Sequence, residues 1–379
     1  MDFFNLLSLI GGLALFLYGM HLLGEGLTKA SGGRLESILE KLTSTPLKAF
    51  LVGTGVTAVI QSSSATTVMI VGFVNSGIMK LEQAVNVIIG ANVGTTITAW
   101  ILSLSGIEST NFLIQLFKPS SFSPVLAIIG VGFIMFSKKD KKRDIGMIML
   151  GFAILMMGMD VMSAAVQPLT DVPEFTNILI MFSNPILGLL AGLLLTCVFQ
   201  SSSASVGILQ AISKTGAVSY ATAIPIIMGQ NIGTCITAML SSIGTSKNAK
   251  RAALMHLFYN TIATGTFMVV FYAINAFVDF SFMENTVGPL GIAVVHSMFN
   301  IAAALLILPF AKGLVKLVRF VLKDDESGKE LTQVDRELMT LDARFLDTPG
   351  LAVERSRQVA VTMAHYAQSS IEIAMGLLE

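Results

Sequence analysis

One feature constrains this chain's fold more than any other: much of it is written twice. Gln61-Ser62-Ser63-Ser64-Ala65 returns as Gln200-Ser201-Ser202-Ser203-Ala204, 139 positions further on. The same offset relates Gly12 to Gly151, Gly19 to Gly158, Met20 to Met159, Pro46 to Pro185 and Thr57 to Thr196. It continues through Gly77 and Gly216, Gly90 and Gly229, Asn92 and Asn231, Gly94 and Gly233, Thr95 and Thr234, and Thr98 and Thr237. Laid without a gap, Ser44–Ser103 against Ser183–Ser242 gives 22 identities in 60 positions. A shared preference for small residues in membrane helices does not place GANVGTT and GQNIGTC at one distance behind two QSSSA runs. The chain therefore contains a duplication, and its fold must hold two similar halves.

Those halves are built for lipid. Hydrophobic residues make up 53% of the 379 positions and charged residues 13%, about half the charged share of a soluble domain. The 24 basic and 24 acidic residues cancel, so no net field recruits nucleic acid or another polyanion. Cys197 and Cys235 lie in apolar runs without metal-ligand spacing, which argues against a disulfide scaffold or a zinc site. A bilayer core asks for about 20 apolar residues per helix. Candidate spans are 3–27, 84–104, 122–137 (a short one), 145–166, 217–243, 254–280 and 290–311. The run from Phe3 to Leu27 is too long for a signal-peptide core and lacks a basic leader, so it reads as a span.

Two further apolar stretches, 45–75 and 183–213, open at Pro46 and Pro185 and are interrupted by the QSSS runs. Four consecutive polar side chains are costly in hydrocarbon unless buried in protein or lining a wet cavity. These stretches read as re-entrant hairpins with the polar run at the tip. Basic clusters at Lys29/Arg34/Lys41, Lys138 to Arg143, Lys247/Lys250/Arg251 and Lys312/Lys316/Arg319/Lys323 then orient the chain. With all four in the cytoplasm, the N-terminus lies outside and the two hairpins open to opposite sides. The expected fold is an all-α polytopic membrane protein with inverted-topology repeats, two re-entrant hairpins and broken transmembrane helices. Such a fold suits secondary transport, although channels with inverted repeats exist too. Repeat 1 covers about 3–137, repeat 2 about 145–280, and 290–311 is an extra helix completing a transport domain over 1–322.

Two polar constellations carry the chemistry. Serine hydroxyls and glutamine amides donate and accept hydrogen bonds, and a helix N-terminus favours negative charge. Two tips meeting near the membrane midplane would surround one anion; the alternative is a helix break packed with small residues. The second constellation is Gly90-Ala91-Asn92-Val93-Gly94-Thr95-Thr96 with its mate Gly229-Gln230-Asn231-Ile232-Gly233-Thr234-Cys235. Glycines four apart around an asparagine predict local unwinding, with freed carbonyls, Asn and Thr oxygens suited to Na⁺. The alternative is close helix packing at a G-x3-G contact.

QSSSATTV with GANVGTT, and QSSSAS with GQNIGTC, resemble the Na⁺/phosphate cotransporter family that includes the animal type II carriers, over about residues 1–320. The resemblance implies sodium-coupled symport of inorganic phosphate across the cell (plasma) membrane, with Na⁺ as coupling ion and no other cofactor. It implies phosphate binding at Gln61, Ser62, Ser63, Ser64, Gln200, Ser201, Ser202 and Ser203. It implies sodium binding among Gln61, Ser64, Asn92, Thr95, Thr96, Gln200, Ser203, Asn231 and Thr234. Cys235 replaces the second threonine of the first copy, which removes an oxygen there.

Other residues are weaker candidates. Asp160 and Glu25 are acids within or near spans, the kind of residue that marks ion paths; an interfacial position explains them equally. His21, His256 and His296 are minor candidates. Lys138–Arg143 reads as a topology signal. Gly188 and Gly192 fit a protomer contact, as in a homodimer, or packing within the hairpin. Residues 323–350 read as a linker. From 351 to 379, Val359, Met363, Tyr366, Ser370, Ile373 and Leu377 form one apolar stripe, and LDARFLDTPGLAVERSR resembles the entry to a PhoU-like helical bundle, cut short at residue 379. No nucleophile elbow or serine–histidine pairing points to an enzyme. A passive anion channel, a phosphate exporter and a phosphate sensor acting through the tail remain open alternatives.

Overall fold

The computed structural model describes residues 3–31, 38–39, 43, 45–107, 118–323, 338, 341, 346 and 349–376. Among them every regular element is helical, apart from one isolated bridge between Ser219 and Thr286. Six helices or helix runs are long and apolar enough to cross a membrane, seven with one bent pair. The chain is thus an all-α, multi-pass membrane protein. Side chains such as Ile128, Phe136, Val198 and Phe277 are three-quarters or more exposed, as expected where lipid replaces a partner.

The first half begins with α1 (Phe3–Ser31), then α2 (Pro46–Ile60), α3 (Ser63–Asn75), α4 (Leu81–Ser103) and α5 (Pro119–Phe136). The second half repeats it as α6 (Asp140–Val166), α7 (Pro173–Met181), α8 (Pro185–Phe199), α9 (Ser202–Ser213), α10 (Tyr220–Gly233) and α11 (Cys235–Ser241). Then follow α12 (Lys247–Val278), α13 (Pro289–Ile307), α14 (Ala311–Val321) and α15 (Pro349–Gly376). The starts of α2 and α8, of α3 and α9, and of α4 and α10 all differ by the sequence offset of 139. Proline at N1 starts α2 and α8, where its missing N–H costs nothing, and Thr45 and Asn184 accept the free amides of Lys48, and of Ile186 and Leu187.

Each broken pair doubles back. Gln83 Nε2, at the start of α4, donates to Thr43 Oγ1 at 3.1 Å, just ahead of α2. Thr222 Oγ1, at the start of α10, donates to the Leu179 carbonyl at 3.2 Å, just ahead of α8. These bonds tie the start of α4 to the residue ahead of α2, and the start of α10 to the residues ahead of α8. The short α7, absent from the expected spans, meets α8 at 101°.

The two halves join through α1 and α6. Gly12, Gly19 and Gly26 stand against Met162, Leu155 and Ile148, so the two helices run antiparallel. The contact is reciprocal under the 139 offset: Gly19 meets Leu155, and Gly158 meets Phe16; Gly12 meets Met162, and Gly151 meets Leu23. Added Cβ atoms at these glycines would overlap the facing backbone, as at Gly12, where one would come within 2.8 Å of the Met162 amide nitrogen. Close backbone approach is what small residues provide where lipid removes the hydrophobic driving force between helices.

The hairpin arms then cross over. α9 packs on α6 and α4: Ser163 Oγ donates to the Ala211 carbonyl at 2.9 Å and Gln210 Nε2 to the Ala99 carbonyl at 3.0 Å. α3 packs on α11 and α12, where Asn75 Oδ1 accepts the Ser246 amide at 2.9 Å.

Several boundaries depart from expectation. The span expected at 290–311 runs on through a 3₁₀ turn at Leu308–Phe310 into α14. α14 carries Lys312, Lys316 and Arg319 of the last basic cluster, and its Arg319 pairs with Glu82 of α4 at 2.7 Å. The region 122–137 is an 18-residue helix lying along α6. In the tail, Val359 is buried while Met363, Tyr366 and Ile373 are exposed; Leu377 and most of 323–350 lie outside the described residues. The Arg357 guanidinium, hydrogen-bonded to Glu354, holds that carboxyl below its usual range.

Candidate functional site

Each QSSS run forms a break between two helices. Gln61 and Gln200 adopt left-handed conformations, φ 60° and 52°. An L-residue there costs about 1 kcal/mol or more, and among described non-glycine residues only Asp279 shares a positive φ. The turn lets Ser62 and Ser201 start the next helix as N-caps, their hydroxyl oxygens accepting the amides of Ala65 and Ala204 at 3.1 and 3.2 Å. Since each cap oxygen accepts, its O–H is left to donate. Ser63, Ser202 and Ser203 are buried; Gln61, Ser62, Ser64 and Ser201 are partly buried, and Gln200 is exposed. Gln61 Nε2 donates to the Ala58 carbonyl, while its Oε1 is buried without a partner.

The tips of the two copies touch. Ser64 Oγ of the first donates to the Gln200 carbonyl of the second at 3.5 Å, and Thr237 Oγ1 reaches the same carbonyl at 3.3 Å. Its counterpart Thr98 is buried with its hydroxyl unpartnered. Thr98 and Thr237, paired by the 139 offset, are not among the site residues expected from the motifs.

The glycine–asparagine–threonine segments overturn one expectation. α4 runs helical through Gly90–Thr96, and in the second copy only Thr234, itself with right-handed helical angles, separates α10 from α11. Nothing is unwound. The glycines instead admit the hairpin's first helix: a Cβ at Gly90 would strike the Phe50 carbonyl, at Gly94 the Thr54 carbonyl, at Gly229 the Leu189 carbonyl and at Gly233 the Leu193 carbonyl. Packing wins because a small residue pressed against a neighbouring backbone is worth more in lipid than carbonyls left without partners. Thr54 Oγ1 even occupies the Gly90 carbonyl, at 3.1 Å.

The segment keeps its oxygens in another way. Asn92 Nδ2 donates to the Ile88 carbonyl and Asn231 Nδ2 to the Ile227 carbonyl, both at 2.9 Å. Thr95, Thr96 and Thr234 hydroxyls donate to Ala91, Val93 and Gln230 carbonyls. Every hydroxyl proton is committed to its own helix, which leaves lone pairs as what these three threonines can offer. Cys235 Sγ reaches the Asn231 and His256 carbonyls in the place of Thr96. No hydrogen bond joins these side chains to the serine runs among the described residues, although Gly94 and Gly233 pack on Thr57 and Thr196, one turn before each tip.

The acids sit elsewhere. Asp160 Oδ1 pairs with Lys214 Nζ at 2.6 Å, at the end of α9, and Glu25 pairs with Lys29 at 2.7 Å and His21 at 3.8 Å. Lys214, at the edge of its helix, escaped notice because the partner is 54 positions away. Two cavities that carry charged residues, of about 430 and 390 Å³, lie at Lys29/Arg143/Asp144 and at Thr45/Glu82/Lys312 and do not include the tips.

The family profile described as Na⁺/Pi-cotransporter matches residues 15–164 and 166–306. YjbB of Escherichia coli (strain K12), named for a proposed role in inorganic phosphate export, is 26% identical over 377 residues, 97% of this chain and 64% of YjbB. The chain thus spans less than two thirds of that relative's length. YqeW of Bacillus subtilis (strain 168), which has no functional name, is 29% identical over 319 residues, 84% of this chain and 98% of YqeW. Human sodium-dependent phosphate transport protein 2B is 37% identical over 126 residues, 31% of this chain and 18% of its own length. No solved structure matches. The chain, with a profile match running twice through its duplicated halves, belongs to the Na⁺/Pi-cotransporter family.

Proposed function

We propose that the chain is a secondary active transporter that carries inorganic phosphate with sodium across the cell membrane by alternating access. One observation carries this: a division of hydrogen-bonding roles between neighbouring segments. At the tips, Ser62 and Ser201 accept from backbone and have O–H left to give, and two helix N-termini start there; both suit an oxyanion. One turn away, Thr95, Thr96 and Thr234 have spent their donors and, with Asn92 and Asn231, offer oxygen lone pairs, which suit Na⁺. Phosphate is held by Gln61, Ser62, Ser63, Ser64 and Gln200, Ser201, Ser202, Ser203, and sodium supplies the counter-charge that no lysine or arginine among the described residues is hydrogen-bonded there to provide.

The reciprocal antiparallel contact of α1 with α6 supports an inverted repeat. A two-fold axis relating the helices stands perpendicular to both, and so lies in the membrane plane when both cross it. Hairpins α2–α3 and α8–α9 then enter from opposite sides, the arrangement that lets one site open to each side in turn. The basic clusters support an N-terminus outside and a tail inside.

Labelled phosphate uptake into proteoliposomes under an inward sodium gradient tests the reading. Uptake should collapse when choline replaces sodium; undiminished uptake in choline would leave a passive channel as the better account. The match to a relative named for phosphate export, over 97% of this chain, favours a second reading in which net flux runs outward. Reversing the sodium gradient on phosphate-loaded vesicles measures that direction.

A further inference from the structure

A second motif recurs outside the 139 offset. Ala253-x2-His256-x3-Asn260-x2-Ala263 on α12 is matched, 40 positions on, by Ala293-x2-His296-x3-Asn300-x2-Ala303 on α13. Spacings of three, four and three put all four residues on one helix stripe. All eight side chains are 0 or 1% exposed, a burial that makes each stripe an inward face rather than a lipid face. Each asparagine amide donates to the carbonyl of its own histidine, at 3.1 Å in α12 and 2.9 Å in α13.

The stripe of α12 rests on the second cation-type segment. Cys235 Sγ lies 3.4 Å from the His256 carbonyl, Asn260 Nδ2 donates to Cys235 Sγ at 3.3 Å, and Thr264 Oγ1 reaches the Met228 carbonyl at 3.3 Å. Moved back by 139 on one helix and on by 40 on the other, that register sets Thr96 of α4 against His296 and Asn300 of α13. The observed contacts of α13 with α4 agree. Trp100 Nε1, one turn past Thr96, donates to Ser297 Oγ at 2.8 Å, and Gly106 abuts Pro289. Hence α13 stands to α4 as α12 stands to α10–α11, and the duplication reaches into helices whose overall sequences have diverged.

Packing alone does not account for the polar residues. Both ring nitrogens of His256, Nδ1 of His296 and Oδ1 of Asn300 are buried without partners, a cost that leucine at these positions would avoid. We propose that His256–Asn260 and His296–Asn300 are positioning residues for two alkali-cation sites, one in each half. Each clamp fixes the rotation of the segment bearing Asn231 and Thr234, or Asn92 and Thr95, so that their lone pairs converge on the ion. This rests on the sodium-coupled reading above and adds the residues that tune the cation rather than the anion.

Sodium titrations of phosphate uptake, with wild type, Asn260→Ala, Asn300→Ala, Asn260→Ser and Trp100→Phe, test it. The alanine variants should raise the half-saturating sodium concentration about five- to tenfold, the effect of one lost buried hydrogen bond, and leave phosphate KM at saturating sodium within about twofold. Asn260→Ser, whose hydroxyl can still bond the i−4 carbonyl, should recover most of the loss. Trp100 is 41% exposed, so Trp100→Phe keeps the fold testable if the alanine variants prove unstable, and should shift sodium dependence about two- to threefold. Sodium-dependent wild-type uptake with no shift in any variant, or equal shifts in sodium and phosphate dependence, would overturn this inference alone. Sodium-independent wild-type uptake would overturn the transport reading and this one with it.

Discussion

Gly90→Ala and Gly229→Ala decide between a packed and an unwound helix. A Cβ at either position would overlap the carbonyl oxygen of Phe50 or Leu189, a backbone atom that no rotamer change can move away. The hairpin's first helix must therefore draw back along its whole contact with α4 or α10. Overpacking of this kind costs about 1–3 kcal/mol; helix propensity returns up to about 1 kcal/mol when alanine replaces glycine. A net loss of about 1–2 kcal/mol should lower the melting midpoint by about 1–3 °C. The lone tryptophan, Trp100, reports unfolding of purified protein in detergent. Gly132→Ala is the control, since nothing lies within 4 Å of a Cβ at that position of α5, and it should hold or raise the midpoint. If Gly90→Ala and Gly229→Ala melt with the parent while sodium dependence alone is lost, the close-packing account fails and freed carbonyls regain the argument.

Three further outcomes are expected. Ser63→Ala and Ser202→Ala should each weaken phosphate uptake about tenfold in proteoliposomes, the usual loss for a hydrogen bond to a charged ligand; two unaffected variants would remove the tips from the site. Gln61→Gly and Gln200→Gly should raise the melting midpoint modestly, by relieving about 1 kcal/mol of left-handed strain, while reducing uptake because the amide is gone; unchanged uptake would make the tips merely structural. Lys214→Met should destabilise more than the pair Asp160→Asn with Lys214→Met, because the single change leaves a half-exposed carboxylate without its partner. A coupling of about 1 kcal/mol is expected from a double-mutant cycle on melts, and additive effects would show the ion pair to be idle.

What could be read from the residues depended on range. The helix boundaries around each polar run were legible within a residue or two, because proline at 46 and 185 and the polar runs at 61 and 200 are local signals with local causes. The segment at Gly90–Thr96 was legible as special but ambiguous in kind: glycines four apart permit both unwinding and close approach, and the choice depends on whether Phe50 and Thr54 lie opposite. That fact belongs to the assembled halves. Lys214 was missed for a similar reason, since its partner is on another helix. The α13–α14 junction was blurred because Pro309 sits at a 3₁₀ turn that keeps the direction of the chain instead of ending it.

The same limits bear on how a neutral site could select a doubly charged anion. With arginine or lysine at the tips, phosphate would bind whether or not sodium were present, and the two gradients would be free to run independently. Here Lys214 of the second half is committed to Asp160 at the far end of α9 from Ser202. Hydroxyls, amides and two helix ends favour an anion by only a few tenths to about 2 kcal/mol apiece, too little to offset desolvation of a full charge. On the sodium-coupled reading proposed above, sodium on the neighbouring oxygens would supply the rest, because at a given separation its attraction grows as water is excluded. Anion affinity is then conditional on the cation, and by linkage cation affinity on the anion. Coupling of this form requires that the donor-rich tips and the helix faces whose threonine protons are spent remain distinct but adjacent. Back-bonding of every threonine hydroxyl in Thr95, Thr96 and Thr234 to its own helix is the local device that keeps them so.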